Sequence, residues 1–112
     1  MPFFMHQWMY KDPQVKAMVQ RPQERAETVR DAVEVFGGKL HSFYFCFGDY
    51  DGMCITEFPD NKTALASLMS IIGAGGLSAL KTTLLVTQDE AKAAMMLAHD
   101  LVGPYTPPSG KK

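Results

Sequence analysis

The sequence lacks a long hydrophobic run and an excess of charge of one sign, and each absence excludes a class of protein. Its apolar runs fall far short of the roughly 20 residues that cross a bilayer, so we expect no contact with a membrane. Eleven Lys and Arg residues offset 12 Asp and Glu residues, for a formal net charge of -1. Because phosphate binding requires a basic surface, nucleic acid is not expected as a partner. The only basic run is the terminal pair Lys111-Lys112.

The N-terminal stretch is aromatic but does not have the pattern of a signal peptide. His6, Gln7 and Lys11 interrupt it, and no small-residue cleavage site follows. We therefore expect a cytoplasmic protein.

The stretch from Gly37 to Asp60 predicts a β-hairpin. The runs 40–47 and 51–58 are rich in aromatic and β-branched residues, which favour strands. Gly48-Asp49 lies between them and predicts a tight two-residue turn, with glycine supplying a positive φ. This hairpin is the strongest local pattern in the chain.

Cysteine is scarce, and its two occurrences, Cys46 and Cys54, fall on the two hairpin arms. With this turn, directly paired residues have numbers that sum to about 97, so Cys54 lies near Phe43 and the two cysteines are offset. Both are predicted to be buried free thiols in a reducing compartment. A nucleophile or redox pair is the alternative.

Hydrophobic spacing predicts an α+β order for the rest of the chain. The first strand, 3–10, carries Phe4, His6, Trp8 and Tyr10 on one face. A first helix is predicted to start at Asp12 and to be interrupted at Arg21-Pro22, and two more are predicted over 22–36 and 62–72. A capping box at 87–90 opens a last predicted helix, which ends at about Leu101. The third helix is predicted to bury a stripe of Leu65, Leu68, Met69 and Ile72. A last strand is predicted over 77–86.

These elements predict a single domain over residues 1–103, followed by a proline-rich tail over 104–112. The order β-α-β-β-α-β-α is that of a ferredoxin-like fold, with a four-stranded antiparallel sheet and helices on one face. The other sheet face is left bare, and it would expose apolar residues. We therefore expect a homodimer, open to higher assembly, that buries about 800 Å² per partner between opposed sheets.

Several short motifs around the hairpin resemble the GYD-domain family. They are Gly37-Gly38-Lys39-Leu40, Phe43-Tyr44, Gly48-Asp49-Tyr50-Asp51 and Glu57-x-Pro59-Asp60, within a similarity over residues 3–97. The resemblance implies a dimeric α+β barrel and brings no established activity with it. It marks Gly48, Tyr50 and Asp51 as the hairpin motif, although the first strand, with His6, Gln7 and Trp8, is less aliphatic than the family pattern.

The candidate pocket residues are His6, Trp8, Tyr10 and His41. In a barrel cavity a histidine could act as a base and a tryptophan could bind a flat ligand, whereas the structural alternative is a packed aromatic face with a hydrogen-bonded histidine. Three scattered histidines have no ligand spacing, so no metal site and no cofactor are predicted.

Three functions remain open from the sequence. The first is a small-molecule binding or sensing homodimer with its cavity between opposed sheets. The second is a cofactor-independent monooxygenase- or isomerase-like enzyme, in which His6, Trp8 and His41 would carry the chemistry. The third is a structural stress-response oligomer with a sealed interior. Binding is favoured because the sequence shows no nucleophile–base–orienter set, and whether the protein is an enzyme stays open.

Overall fold

The computed structural model describes residues 1–110, and the predicted basic end, Lys111-Lys112, lies outside the described residues. The described residues contain eight elements, with residues 102–110 outside helices and strands. They are β1 (Phe3–Tyr10), α1 (Asp12–Gln20), α2 (Arg25–Glu34), β2 (Lys39–Phe45), β3 (Gly52–Glu57), α3 (Asn61–Gly73), β4 (Leu77–Leu85) and α4 (Gln88–Leu101).

The four strands form one antiparallel sheet in the order β2-β3-β1-β4. The first strand of the chain is thus central, which agrees with its apolar residues on both faces. The predicted α+β class and four-stranded antiparallel sheet are confirmed, and the order is compatible with a ferredoxin-like fold.

Register in the β2–β3 hairpin agrees with the sequence, but the turn does not. Cys54 lies opposite Phe43, as predicted. The strands end at Phe45 and begin again at Gly52, so residues 46–51 form a loop longer than the predicted two-residue turn. The backbone N–H of Cys46 still donates to the carbonyl of Asp51 at 2.8 Å, and Gly48 has a φ of 146°. The reversal is therefore spread over the four residues inside this hydrogen bond.

Alternation along β1 separates the sheet into two faces. The helix face holds Phe4, His6, Trp8 and Tyr10 with their paired neighbours; His6 and Trp8 are buried. The open face holds Phe3, Met5, Gln7 and Met9 with theirs, among them Met53, Ile55 and Leu85. The helix face carries the core, while Met9 of the open face is exposed.

Two buried clusters lie on the helix face. Trp8, Leu40 and Cys54 form one, and Val33, Phe58 and Ala64 form the other. The Trp8 indole lies against Gly52 on β3, where a Cβ added to the glycine would be 2.4 Å from the indole Cζ2 atom. This close approach leaves no room for a side chain at position 52.

The predicted buried stripe of α3 is wrong for three of its four residues, whereas Leu68 is half-buried. Leu65, Met69 and Ile72 are 57%, 63% and 53% exposed, and the buried residues of the helix are Ala64 and Ser67. Small side chains let the helix backbone approach the large Phe58 ring, and this rotates the three larger side chains outward. The apolar stripe therefore lies beside the packed face.

The last helix, α4, is capped as predicted but adds little to the packed core. Its predicted cap is confirmed, since the Thr87 hydroxyl accepts the Glu90 backbone N–H at 3.1 Å. No residue within Gln88–Leu101 is buried, and Met95, Leu97 and Leu101 are more than 60% exposed. The described chain is elongated, with a longest dimension of 59 Å. Like α1, α4 thus contributes no buried residue to the core.

Candidate functional site: a pocket beneath helices α2 and α3

A partly enclosed cavity of about 80 Å³ lies between the helix face of the sheet and helices α2 and α3. The sheet contributes side chains from β1, β3 and β4, and the two helices close the other side. The lining is apolar over most of its area, and its polar side chains are the ones that distinguish it from an ordinary packing gap.

His6 is the most constrained of these polar groups. It is only 5% exposed, and its Nε2 and Nδ1 atoms lie 2.9 Å from the hydroxyl oxygens of Thr56 and Thr82. A neutral imidazole has one donor and one acceptor nitrogen, so one hydroxyl accepts while the other donates. Desolvation by burial lowers the pKa of His6 from 6.5 to about 4, so the ring is neutral at physiological pH.

Aromatic rings form one wall beside His6. The Trp8 ring centroid lies 5.4 Å from that of Phe43 and 6.4 Å from that of Tyr10, the latter edge to face. The Trp8–Phe43 pair is tilted by 43°, whereas the edge-to-face contact with Tyr10 is one of the preferred aromatic geometries. The wall is therefore rigid and offers a flat apolar surface.

Arg25 is the one charged side chain in the lining. It begins α2 and lies one and two turns before Val29 and Val33, which also line the cavity. Positions four residues apart share one helix face, so the backbone directs all three toward the sheet. Arg25 is half-buried, and its Nη1 donates to the Gln23 side-chain oxygen at 3.0 Å.

The structure brings together three of the four predicted pocket residues. His6, Trp8 and Tyr10 all line the cavity. They face the helices, so they cannot line a cavity between opposed open faces, which is where the sequence placed the pocket. His41 lies elsewhere: its Nε2 is 2.9 Å from Glu57 Oε1, and its ring is 5.3 Å from that of Phe3 on the open face. A bulge between Leu40 and Ser42 displaces it from the alternation that the sequence implied.

The hairpin motif residues lie outside this pocket, and one of them, Asp51, is hydrogen-bonded to the sheet. Asp51 is bonded twice to β1: its Oδ2 accepts the Tyr10 backbone N–H at 2.8 Å, and its own N–H donates to the Trp8 carbonyl at 2.8 Å. Gly48 and Tyr50 lie at the tip, beside the exposed Phe47. Asp51 thus fixes the hairpin against the strand that carries the pocket residues.

The two cysteines differ from each other. Both are free, but Cys46 is exposed, so the prediction that both are buried is wrong for this residue. It follows the last residue of β2, where the chain leaves the sheet. Cys54 is buried in the cavity wall, and desolvation raises the pKa of its thiol to about 12.

Sequence reasoning missed Thr56, Thr82 and Arg25. Thr82 is the direct cross-strand partner of His6, and Thr56 is diagonal to it, so a correct register would have indicated both. Arg25 is not among the predicted pocket residues, although its spacing of four and eight residues from Val29 and Val33 places it on their helix face. Charge alone made it look like a surface residue.

Two further observations concern the described part of the chain. Within residues 1–110, no group of three or more His, Cys, Asp and Glu side chains is arranged to hold a metal ion. Within the same residues, no helix combines the length and apolar character that crossing a bilayer requires.

Comparison with known proteins supports one relationship. No curated protein matches the chain. The family model described as GYD domain matches residues 4–95, a range that includes β1 from its second residue, the other three strands and the helices α1, α2 and α3. Since that match covers most of the sequence and the hairpin residues lie inside it, the chain belongs to the GYD domain family.

Proposed function

We propose that this protein binds a small, partly apolar molecule in the pocket beneath α2 and α3, and that it acts as a homodimer. The observation that carries the binding proposal is the buried His6, held by two threonine hydroxyls in the wall of a largely apolar cavity. Ligand sites are typically concave and apolar with a few placed polar groups. This pocket has the same composition but is smaller than a typical ligand site.

The cavity limits the ligand to a small size. An apolar cavity of about 150 Å³ holds one benzene molecule. The space here is about 80 Å³, so the enclosed part of the ligand is smaller than benzene.

Binding is better supported than catalysis by His6. A general base works best when its pKa is near the operating pH. The pKa of His6 is lowered to about 4 by burial, which makes the ring a weak base at neutral pH. Both ring nitrogens are also engaged by hydroxyl groups, an arrangement that suits a fixed hydrogen-bonding wall.

The open face of the sheet supports the homodimer. Its central residues Met5, Met53 and Ile55 are only partly covered by their neighbours in the sheet. Pairing two such faces would bury apolar surface at roughly 25 cal/mol per Å². In this arrangement each subunit keeps its own pocket, because the pocket is on the opposite side of the sheet.

Small uncharged probes test the binding proposal. Xenon, isobutanol and cyclopentanone are titrated into the protein while the amide and indole N–H signals are followed by NMR. We expect saturable shifts at His6, Trp8 and Cys54. Ser67→Leu, which fills the cavity, should abolish them, whereas Ser70→Leu on the exposed side of α3 should not. Absence of saturable shifts for all three probes, or equal binding to both variants, contradicts the proposal.

A further inference from the structure

The position of Arg25 indicates what kind of molecule the pocket takes. A guanidinium on the inward face of an amphipathic helix is unexpected, because that face is normally apolar. Here it continues the row formed by Val29 and Val33 and lines the same cavity. The Arg25 side chain therefore lies at the edge of a largely apolar pocket, with its guanidinium hydrogen-bonded at the surface.

Among residues 1–110, Arg25 forms no ion pair with a carboxylate. Its side-chain hydrogen bond goes to a neutral amide, that of Gln23. The acidic residue in the first turn of α2, Glu27, pairs instead with Arg30 at 2.6 Å. A guanidinium presents a planar fork of donors, so Arg25 retains capacity for a bidentate acceptor.

We propose that the ligand is a short-chain monocarboxylate, with its carboxylate on Arg25 and its alkyl chain against Trp8 and Leu80. This inference rests on the proposed function, since it places the ligand in the same pocket. Arg25 supplies one positive charge and the neutral His6 supplies none, so the pocket favours a ligand with a single negative charge. The cavity volume favours a chain of a few carbon atoms, such as a branched fatty acid of the isovalerate type.

An isosteric pair of probes separates charge from shape. Isovalerate and isovaleramide have nearly the same size, and only the first is an anion. Binding is measured by calorimetry and by the fluorescence of Trp8, the one tryptophan in the chain. Because charge-assisted bidentate pairs are the stronger hydrogen bonds, we expect isovalerate to bind at least about tenfold tighter than the amide.

Variants of the two arginines on α2 provide the control. Arg25→Gln should remove the preference for the acid, and Arg25→Lys should retain part of it because the charge remains without the fork. Arg30→Gln, which removes the exposed ion pair with Glu27, should leave the preference unchanged. Near-ultraviolet circular dichroism establishes that each variant keeps the parent fold.

The outcomes distinguish this inference from the proposed function. Equal binding of acid and amide, unchanged in Arg25→Gln, overturns the assignment of a carboxylate while leaving pocket binding intact. Binding of neither overturns it as well, and the uncharged probes then decide separately whether the pocket binds anything. A preference that Arg30→Gln abolishes equally also contradicts a direct role for Arg25.

Discussion

At the scale of single residues, burial of His6 makes stability depend on pH. Its pKa is lowered from 6.5 to about 4, so the unfolded chain binds the proton more readily than the folded one between these values. The contribution to stability is fully present above about pH 6.5 and is lost as pH falls toward about 4. The free energy of unfolding lost over this pH range is about 3 kcal/mol.

Urea unfolding at a series of pH values from neutral to acid measures this effect. The parent should lose more stability over that range than His6→Gln, because glutamine does not titrate. Carboxyl groups titrate in part of the same range in both proteins, so the difference between the two curves is the quantity that counts. Parallel curves would show that His6 does not carry the dependence.

The two thiols should react at very different rates. Burial raises the pKa of Cys54 to about 12, and the thiolate is the reactive form, so Cys54 is protected twice. Cys46 is exposed at the end of β2. Iodoacetamide applied to the native protein at mildly alkaline pH should label Cys46 alone, as read by peptide mass spectrometry, while denatured protein takes the label at both. Equal native labelling would mean that the core opens readily.

At the scale of elements, the hairpin tip depends on Gly48. Its φ of 146° is rarely adopted by residues with a side chain, although no atom lies within 4 Å of a Cβ placed there. Gly48→Val should therefore cost about 1–3 kcal/mol through backbone strain alone. Gly73→Val is the control, because an added side chain there also meets no atom within 4 Å but the backbone φ is not positive. The urea midpoints of the two variants are compared with that of the parent. A midpoint equal to that of the parent would contradict the strain.

Helices α1 and α4 should be the least protected helices. Neither has a buried residue, and isolated helices of their lengths are marginal in water. Hydrogen exchange followed by mass spectrometry should show the amides of both helices exchanging by local opening, at a free energy well below that of global unfolding, whereas β1 amides should exchange only through global unfolding. Protection of α4 that rises with protein concentration would instead mean that it packs against a second copy.

At the scale of the whole molecule, the two faces of the sheet predict opposite effects for an introduced charge. Ile55→Glu on the open face should give a folded 12.4 kDa monomer. Trp8→Asp buries a charge beneath the helices, which should cost about 4 kcal/mol or more and unfold the chain. Sedimentation equilibrium measures the association state of each variant, and circular dichroism measures whether it is folded. Leu84→Glu, which places a charge at an exposed position on the helix face, is the control and should change neither. A parent protein that stays monomeric at high micromolar concentration contradicts the dimer.

Much of this architecture could be predicted from the sequence, and the rest depended on tertiary packing. The strand β1, the hairpin register and the Thr87 cap follow from local periodicity and capping, so they were predicted correctly. Periodicity does not say which side of a strand the helices cover, and this choice decides where the pocket lies. The prediction of the buried face of α3 was wrong for a related reason. Ala64 and Ser67 are buried because their side chains are small, and a pattern of hydrophobic residues does not indicate side-chain size.

The contact between Trp8 and Gly52 links two positions that are far apart in the sequence. Because a side chain at 52 would overlap the indole, the two residues cannot change independently. Among related sequences, an indole at the position of Trp8 should therefore occur together with glycine at the position of Gly52. A residue smaller than tryptophan at the position of Trp8 would allow a side chain at position 52. The two positions should covary across the family, and the covariation would come from shape rather than from chemistry.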